Sequence, residues 1–455
     1  MNYAQEANET ITVIGDSLVG RSANGEMLKE VFGNVMLKQG NVTITCDHAI
    51  QYVSKNDAEL IGNVIAVQDS LIIKTPHAYY YGNEKKSESN SGVELNDKKI
   101  ILDADLGTYY FDEHKAVFQN NVRMYDTVST LTSNKLIYYK DLDKMIAEGH
   151  VKIVDSTDII QADRVTHFRD DRISIADNHV KITSTKNNSV IFGDHLEDYA
   201  KKYYTIVDKN PLFMQIDTTY TTRLDTLPDK RIDSVRTVKL DTLLISCLKM
   251  EAYRDTTDLF KAQDSVRIVR EEFASKNDLT LYYRRKREII TKKIKEDSQQ
   301  PILWYENSQL TGDSVTIFLT RNRIKSLDVN NNAFILSQNS TYPDRIDQTS
   351  GQQIKLIFDQ EKVKNTEIYG GVHSIYYLYE GKTPNGLNKA SSQTANIIFS
   401  NNEVTEVRLY GSPTSEYYPE KMVEGEETTF TLPGFYLYKN RPTKIDLLRI
   451  IRNRD

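Results

Sequence analysis

The stretch Gly33-Asn34-Val35-Met36-Leu37 decides the fold, because its pattern returns five more times along the chain. In each copy a Gly or Asn leads into a short run rich in β-branched residues, which is typical of a turn followed by a strand. The copies follow at nearly constant steps, and their first residues are Gly33, Gly62, Gly92, Asn120, Gly149 and Asn178. Self-similarity at a fixed period indicates a repeat architecture. The sequence therefore predicts stacked strand-turn-strand units of about 29 residues.

A second series of small residues keeps step with the first, and its members are Cys46, Thr75, Ala104, Ser133, Ala162 and Gly193. An aromatic residue stands six positions after each member, and this aromatic ladder consists of Tyr52, Tyr81, Tyr110, Tyr139, Phe168 and Tyr199. If the strand between them is unbroken, the even offset puts the small residue and the aromatic on the same face. We expect the ladder to close one edge of the core or, alternatively, to face a bound apolar ligand.

Acidic residues between the strands of several units suit tight β-connections, and they are Asp69, Asp97, Asp126 and Asp155. Asp followed by Ser or Thr and then by an apolar residue or Thr occurs eleven times, for example at residues 126–128. Such a triplet suits a turn at the start of a strand. It also resembles the acceptor motif for O-glycans on exported proteins of some Gram-negative bacteria.

The chain from Asp217 to Asp241 is polar, rich in Thr and without the repeat pattern, so we expect a loop or a long extended hairpin there. Beyond it the wider spacing of Asn331, Gly370 and Gly411 indicates a longer period of about 40 residues. The sequence thus predicts an all-β chain with an N-terminal array of six repeats over 11–205, a polar insertion or hairpin over 206–242, a C-terminal array of these longer repeats over 243–442 and a tail over 443–455. A short helix is expected at 444–451.

Composition and motifs exclude several function classes. The 58 basic and 64 acidic side chains are interspersed and leave a net charge of −6, which gives no reason to expect nucleic-acid binding. The eight His form no close pair at metal-ligand spacing, and the chain has no Gly-rich phosphate loop and no nucleophile elbow. Cys46 and Cys247 belong to distant repeats, so a disulfide between them is not expected. We expect no enzyme activity, no catalytic residue, no metal site and no cofactor.

With these repeats in view, the chain resembles the OstA-like family, which comprises organic solvent tolerance and lipopolysaccharide transport proteins of the bacterial periplasm. The resemblance is carried by the strands after Gly33 and Gly62, by their partners Ile44-Thr45-Cys46-Asp47 and Ile160-Gln161-Ala162-Asp163, and by the aromatic ladder. The C-terminal half looks like the longer members of the family, and the similar segments are Pro301–Trp304, Asp347–Gly351 and Gly434-Phe435.

The resemblance implies an elongated, open β-jellyroll, folded like a taco, whose two sheets hold the acyl chains of lipid A. It also implies that the protein is a bridge component of lipopolysaccharide transport to the outer membrane. The expected partners are lipopolysaccharide and other jellyroll proteins, joined by pairing of edge strands, with head-to-tail self-association as a further expectation. The alternative from another class is a structural or adhesive exported β-solenoid with a closed, dry core.

Residues 1–10 show neither the basic segment nor the apolar run of a secretory signal, so the protein is either cytosolic or has lost its signal peptide. The resemblance favours the second reading and a periplasmic location. Strand parity predicts the inward residues that would line a lipid groove. They are Val35, Leu37, Ile44, Val64, Ile73, Leu102, Val122, Met124, Val151, Ile153, Ile160, Val180 and Ile182.

Overall fold

The computed structural model describes residues 10–23, 25–68, 70–186, 188–226, 232–320, 323–359, 362–400 and 403–452. Over these residues the chain is almost entirely antiparallel β-strand, as the repeats predict. The chain divides into two compact units. One comprises Met1–Asn187 with Asp194–Lys202, and the other comprises Asn188–Gly193 with Tyr203–Asp455. The domain boundaries drawn from the sequence stay predictions.

The strands up to residue 199 are β1 (Thr12–Ile14), β2 (Ser17–Ala23), β3 (Glu26–Gln39), β4 (Val42–Tyr52), β5 (Asp57–Gln68), β6 (Leu71–Tyr81), β7 (Lys86–Ser89), β8 (Val93–Asn96), β9 (Ile101–Ala104), β10 (Leu106–Tyr110), β11 (Lys115–Tyr125), β12 (Thr130–Tyr139), β13 (Lys144–Val154), β14 (Asp158–Phe168), β15 (Ile173–Ser184) and β16 (Ser189–Tyr199). A 3₁₀ turn follows at Ala200–Lys202.

The strands after residue 203 are β17 (Tyr204–Asp208), β18 (Leu212–Thr226), β19 (Ile232–Ser246), β20 (Lys249–Tyr253), β21 (Leu259–Arg270), β22 (Phe273–Tyr283), β23 (Glu288–Lys292), β24 (Ile302–Tyr305), β25 (Ser308–Thr311), β26 (Ser314–Thr320), β27 (Arg323–Gln338), β28 (Ile346–Asp359), β29 (Lys362–Glu380), β30 (Thr383–Ser400), β31 (Glu403–Tyr410) and β32 (Thr414–Tyr418). The helices are α1 (Glu420–Val423), a 3₁₀ turn at Glu427–Thr429, and α2 (Lys444–Arg452), which lies where the sequence predicts a short helix. In the part of the chain that the structure describes, no helix is both long and apolar enough to cross a membrane.

A sharp corner interrupts the long strands of the first unit. β3 and β4 pair from Leu28↔Tyr52 to Phe32↔His48 and again from Val35↔Cys46 to Gln39↔Val42, with a shift in register between the two stretches. The two residues at the shift, Gly33 and Asn34, have φ angles of 73° and 44°. Such left-handed residues bend the strand and increase its local twist. Equivalent left-handed pairs lie at 62–63, 120–121, 149–150 and 178–179 in the first unit and at 264–265, 331–332 and 370–371 in the second.

A hydrogen bond from one strand to the next secures these corners. Asn63 Nδ2 donates to Asp47 Oδ2 at 2.8 Å, and Asn121 Nδ2 donates to Asp105 Oδ2 at 2.6 Å. At a later corner the ring Nδ1 of His179 lies 2.7 Å from Asp163 Oδ2. This contact explains why Asp follows several of the small residues of the second series, and we call it the corner clamp.

The corner also changes which side chains face inward. Cys46 and Ala49 are both buried although they are three positions apart, because the bend shifts the alternation of faces. The strand is therefore not unbroken between a small residue and the aromatic six positions later. The expectation that both lie on the same face is wrong, since the buried residue is Gln51 and Tyr52 points to the opposite side.

The interior of the first unit contains one continuous row of apolar side chains. Its members face each other directly across twelve stretches of strand, so each one packs against the next. In order of pairing they are Val13, Leu37, Ile44, Ala66, Ile73, Leu95, Leu102, Met124, Leu131, Ile153, Ile160 and Ile182.

Buried polar pairs join the ends of strands on the side away from the corners. The corner divides each long strand into two arms, and each pair joins the last residues of two arms that belong to different strands, for example the end of β3 with the end of β6. The phenol O–H donates to an amide or carboxylate oxygen over 2.5–2.9 Å, and the pairs are Tyr80–Gln39, Tyr109–Gln68 and Tyr138–Asp97. We call them the polar seam. The long strands thus fold over at the corner, and the ends of their two arms meet.

The turns follow the predicted chemistry where the structure describes them. Asp126 Oδ1 accepts the N–H groups of Val128 and Ser129, and Asp155 Oδ1 accepts those of Thr157 and Asp158. Asp97 acts in the same way at its turn, while Asp69 lies outside the described residues. These carboxylates therefore replace backbone partners in tight turns.

In the second unit β18 and β19 pair over their whole length, from Leu212↔Ser246 to Thr226↔Ile232. The polar, Thr-rich segment is therefore a long extended hairpin, one of the two expected forms. The core between the arms of the later strands is apolar and includes Leu303, Leu310, Val315, Ile317, Leu327, Val329, Ile354, Leu356, Ile368 and Ile397.

The C-terminal segment from residue 419 onward, which begins well before the tail predicted at 443–455, covers the other face of the same strands. Phe334 and Leu336 pack against its Val423 and Leu432, although Ala333 and Ile335 belong to the core on the opposite face. The buried Gln309 accepts the N–H of Tyr438 and donates to the carbonyl of Tyr436, each at 2.8 Å. Gln348 lies on β28, which is separated from the strand of Gln309 by β27, and it makes the same two bonds to Leu432 and Phe430. The second unit therefore has a third layer that the sequence does not predict.

Candidate functional site

Nine of the thirteen residues predicted to line a groove are buried, with at most 5 % of their surface exposed. These nine are Val35, Leu37, Ile44, Val64, Leu102, Val122, Met124, Val151 and Val180. The other four, Ile73, Ile153, Ile160 and Ile182, are half-buried. Strand parity therefore places these side chains toward the interior, while their contact with a lipid stays a prediction.

The apolar row is more accessible at its C-terminal end. Ile153, Ile160 and Ile182 lie side by side on β13, β14 and β15 and are all half-buried, whereas Leu131 beside them is 4 % exposed. An apolar ligand that covers these three adjacent isoleucines would remove their exposed surface from water, which favours binding there. Nearer the N-terminus the interior is filled by its own side chains, and a void between β6 and β11 measures only about 20 Å³.

The predicted aromatic ladder lies on the outer side of the first unit, half-buried. Lysines alternate with it across the strands, as in Tyr81↔Lys86 and Lys115↔Tyr139. The Lys86 ammonium lies 4.3 Å from the centre of the Tyr81 ring, a cation–π distance. The aromatic residues that close the core edge are instead those of the polar seam, one position earlier in the chain. The ladder therefore does not face an interior ligand.

The second unit contains a cavity of about 270 Å³ between the two arms of its strands. That volume is close to the lower end of the range for small-molecule sites, roughly 300 Å³. Most of its wall is apolar, and the apolar lining residues are Phe273, Leu303, Leu310, Ile324, Leu327, Ile335, Leu356, Phe358, Val363, Ile397, Phe399 and Val404. These side chains come from eight strands between β22 and β31, so the repeat pattern itself builds the cavity.

One side of this cavity is polar. Ser308, Ser337 and Asp347 are direct neighbours on β25, β27 and β28, and the two serine hydroxyls lie 2.9 Å apart. Two residues further along β28, and on the same face, Thr349 Oγ1 lies 2.9 Å from the hydroxyl of Tyr376. Apolar walls with a few grouped polar atoms are the usual composition of a ligand site.

Asp347 is the acidic group on this polar side of the cavity. Its Oδ1 accepts the backbone N–H of Tyr377 at 2.9 Å. Burial raises the pKa of its carboxyl to about 7, against the smaller opposing effect of that hydrogen bond. Burial also raises the pKa of Tyr376, so its phenol remains protonated at neutral pH. The cavity thus presents one carboxyl group that is close to half ionised at pH 7.

Sequence reasoning did not find this cavity, although it singled out the segment Asp347–Gly351 for another reason. The sequence does contain one indication of the polar side, because Asp347 and Thr349 are two positions apart and therefore lie on the same face of a strand. Among the described residues, no group of three or more His, Cys, Asp or Glu side chains is arranged to hold a metal ion.

Residues 12–163 match the model of a protein family described as OstA-like protein. No curated protein matches the chain. Among solved structures, one similar chain is LptH of Pseudomonas aeruginosa, described as the LptA-homologous periplasmic component of the conserved lipopolysaccharide transport device. It shares 14 % identity, covering 30 % of this chain and 93 % of that one with a TM-score of 0.23. The family match therefore makes the N-terminal segment 12–163, about a third of the chain, similar to the OstA-like proteins.

Proposed function

We propose that this protein is a periplasmic component of lipopolysaccharide transport that binds lipid acyl chains between the arms of its strands. The observation that carries the proposal is the apolar cavity of about 270 Å³ in the second unit. The OstA-like segment and the resemblance stated from the sequence support the same function. Binding of this kind needs no catalytic group, so we also propose that the protein is not an enzyme.

The cavity suits part of an acyl chain in size and chemistry. A cavity of roughly 150 Å³ holds benzene, so one of about 270 Å³ takes on the order of ten chain carbons. Each CH₂ moved out of water contributes about 0.8 kcal/mol, so ten contribute about 8 kcal/mol before the costs of association. Burial of a chain segment therefore supplies a driving force for binding that needs no charged contact.

The end strands support the proposed joining to other jellyroll proteins. Among the described residues, β2 pairs only with β3, and β31 pairs only with β30. Each end therefore presents a row of backbone N–H and C=O groups that an added strand can pair with. Such pairing would connect this protein to other members of a transport bridge or to a second copy of itself.

A structural β-solenoid with a dry core is the second candidate, because one observation favours it. The interior of the first unit is filled near its N-terminus, and the polar seam closes it on the side away from the corners. If the second unit also stays dry in solution, the protein carries no lipid.

Photocrosslinking tests the proposal. A photoreactive residue at Leu356 inside the cavity should capture lipopolysaccharide, and one at the neighbouring Lys355 on the opposite face should not. The same pair of substitutions at Ile160 and Gln161 examines the accessible end of the apolar row. Equal labelling at 355 and 356, or no labelling at 356 and 160, would contradict the proposal and favour the dry solenoid.

A further inference from the structure

The polar side of the cavity in the second unit has donors and acceptors that a plain hydrocarbon chain leaves unused. Asp347 receives one hydrogen bond, from the Tyr377 N–H, and no cation of the described residues lies within ion-pair distance of its carboxylate. A carboxylate has room for about four hydrogen bonds. A ligand that covered it with CH₂ groups would remove its remaining water without replacing it, which is costly.

The neighbouring hydroxyl pair offers the complementary group. Thr349 and Tyr376 have two hydroxyl protons, and their mutual hydrogen bond of 2.9 Å uses only one of them. The other proton can be donated to an oxygen atom in the cavity. Because residues 347 and 349 lie on the same face of β28, their Cα atoms are about 7 Å apart and both side chains line the cavity. A hydroxyl group between these side chains can donate to the Asp347 carboxylate and accept from the hydroxyl pair when the side chains lean toward each other, since its two hydrogen bonds reach oxygen atoms up to about 5.5 Å apart.

We propose that this cavity selects acyl chains that carry a hydroxyl group, which donates to the Asp347 carboxylate and accepts from the Thr349–Tyr376 pair. The proposal rests on the proposed lipid-binding function and adds a specificity-determining residue to it. The hydroxyl replaces the water that Asp347 loses, while the rest of the chain lies against Leu356, Phe358 and Ile397. An unsubstituted chain makes the same apolar contacts but leaves the carboxyl group unpaired.

The test uses two probes that differ in one hydroxyl, methyl 3-hydroxydecanoate and methyl decanoate. Equilibrium dialysis with mass-spectrometric quantification gives the dissociation constant of each ester for the full-length protein. We expect the hydroxylated ester to bind at least about tenfold more tightly, the effect of a hydrogen bond to a charged group. Asp347→Ala should abolish this preference, and Thr349→Val should reduce it.

A matched control is Asp328→Asn, which removes a partly buried carboxyl group of the same unit that does not line the cavity. It should keep the wild-type preference, and a far-UV circular dichroism melt of each variant establishes that it is folded. Equal affinity of the wild type for the two esters overturns the inference and leaves the proposed function standing. Tighter binding of decylammonium than of the hydroxylated ester also overturns it, since the site would then be one for cations. If neither ester binds, the lipid-binding function fails as well.

Discussion

Removal of one buried hydroxyl from the polar seam should destabilise the first unit. In Tyr109→Phe the Oε1 atom of Gln68 loses a donor at 2.5 Å, in a place where Tyr109 is 4 % and Gln68 is 6 % exposed. Water does not reach the orphaned oxygen, so the expected cost is about 1–3 kcal/mol. Hydrogen exchange of the β10 and β11 amides, together with urea unfolding, measures this cost for the unit that contains the substitution.

The adjacent residue provides the control. Tyr110→Phe removes a hydroxyl on the outer side and keeps the ring 4.8 Å from the Lys115 ammonium, so it should change stability by less than about 0.5 kcal/mol. Combining Tyr109→Phe with Gln68→Leu should not recover the loss, because Gln68 Nε2 also donates to the buried carbonyl of Phe111 at 3.2 Å and the leucine removes that donor. Equal effects at positions 109 and 110 would refute the assignment of the inward face and, with it, the closed seam.

Three further outcomes are expected. Gly62→Ala should lower the free energy of unfolding in urea by about 1–3 kcal/mol, because the φ of Gly62 is +74° and a Cβ there would lie 2.5 Å from the carboxylate of the corner clamp. The control is Gly20→Ala, which has open space around its Cβ and should cost less than about 1 kcal/mol. Leu447→Ala should lower the free energy of unfolding by about 2–5 kcal/mol and red-shift the fluorescence of Trp304, the single tryptophan, because both residues belong to one buried cluster. The control Ile445→Ala changes an exposed side chain and should have neither effect. The pKa of Asp347 is about 7 in the folded protein and about 3.9 in the unfolded chain, so its contribution to stability is present below about pH 4 and is lost as the pH rises through 7. Asp347→Asn should reduce this decline in the free energy of unfolding, measured between pH 4 and 8. An unchanged slope would contradict the burial of this carboxyl group.

The regular period of the N-terminal half was enough to predict the all-β repeats, because each copy contains its own turn and strand signals. The Val after each corner and its small partner face each other as the spacing indicates, for example Val64↔Thr75 and Val151↔Ala162. The inward parity of the strand arms followed from the alternation of apolar residues, which is a local property.

Parity across the corner could not be predicted in the same way. Two successive left-handed residues add a position to one strand only, and in the first unit the sequence shows them merely as Gly-Asn, Asn-Asn, Gly-His or Asn-His. Once this position is counted, the inward aromatic is Tyr109 and the outward one is Tyr110. The aromatic ladder was therefore a real period assigned to the wrong face.

The tail and the cavity depend on contacts between residues far apart in the chain. In the sequence Gln309 and Gln348 are ordinary polar residues of predicted strands, and only the folded structure shows that they bind the backbone of residues 430–438. The cavity arises where facing side chains fail to fill the space between two arms, and no single strand encodes such a gap. Asp347 gains its unusual ionisation only from that setting.

The corner clamp and the polar seam together make the chain of the first unit modular in length. The clamp joins residue i to residue i+16, as in Asp47 with Asn63, and the seam joins residue i to residue i+41, as in Gln39 with Tyr80. Both separations recur when the numbering advances by whole repeats, so a tandem duplication of one repeat would bring its own partners for every such bond. Gene duplication or loss in steps of one repeat can therefore lengthen or shorten the apolar row without leaving one of these buried polar pairs incomplete.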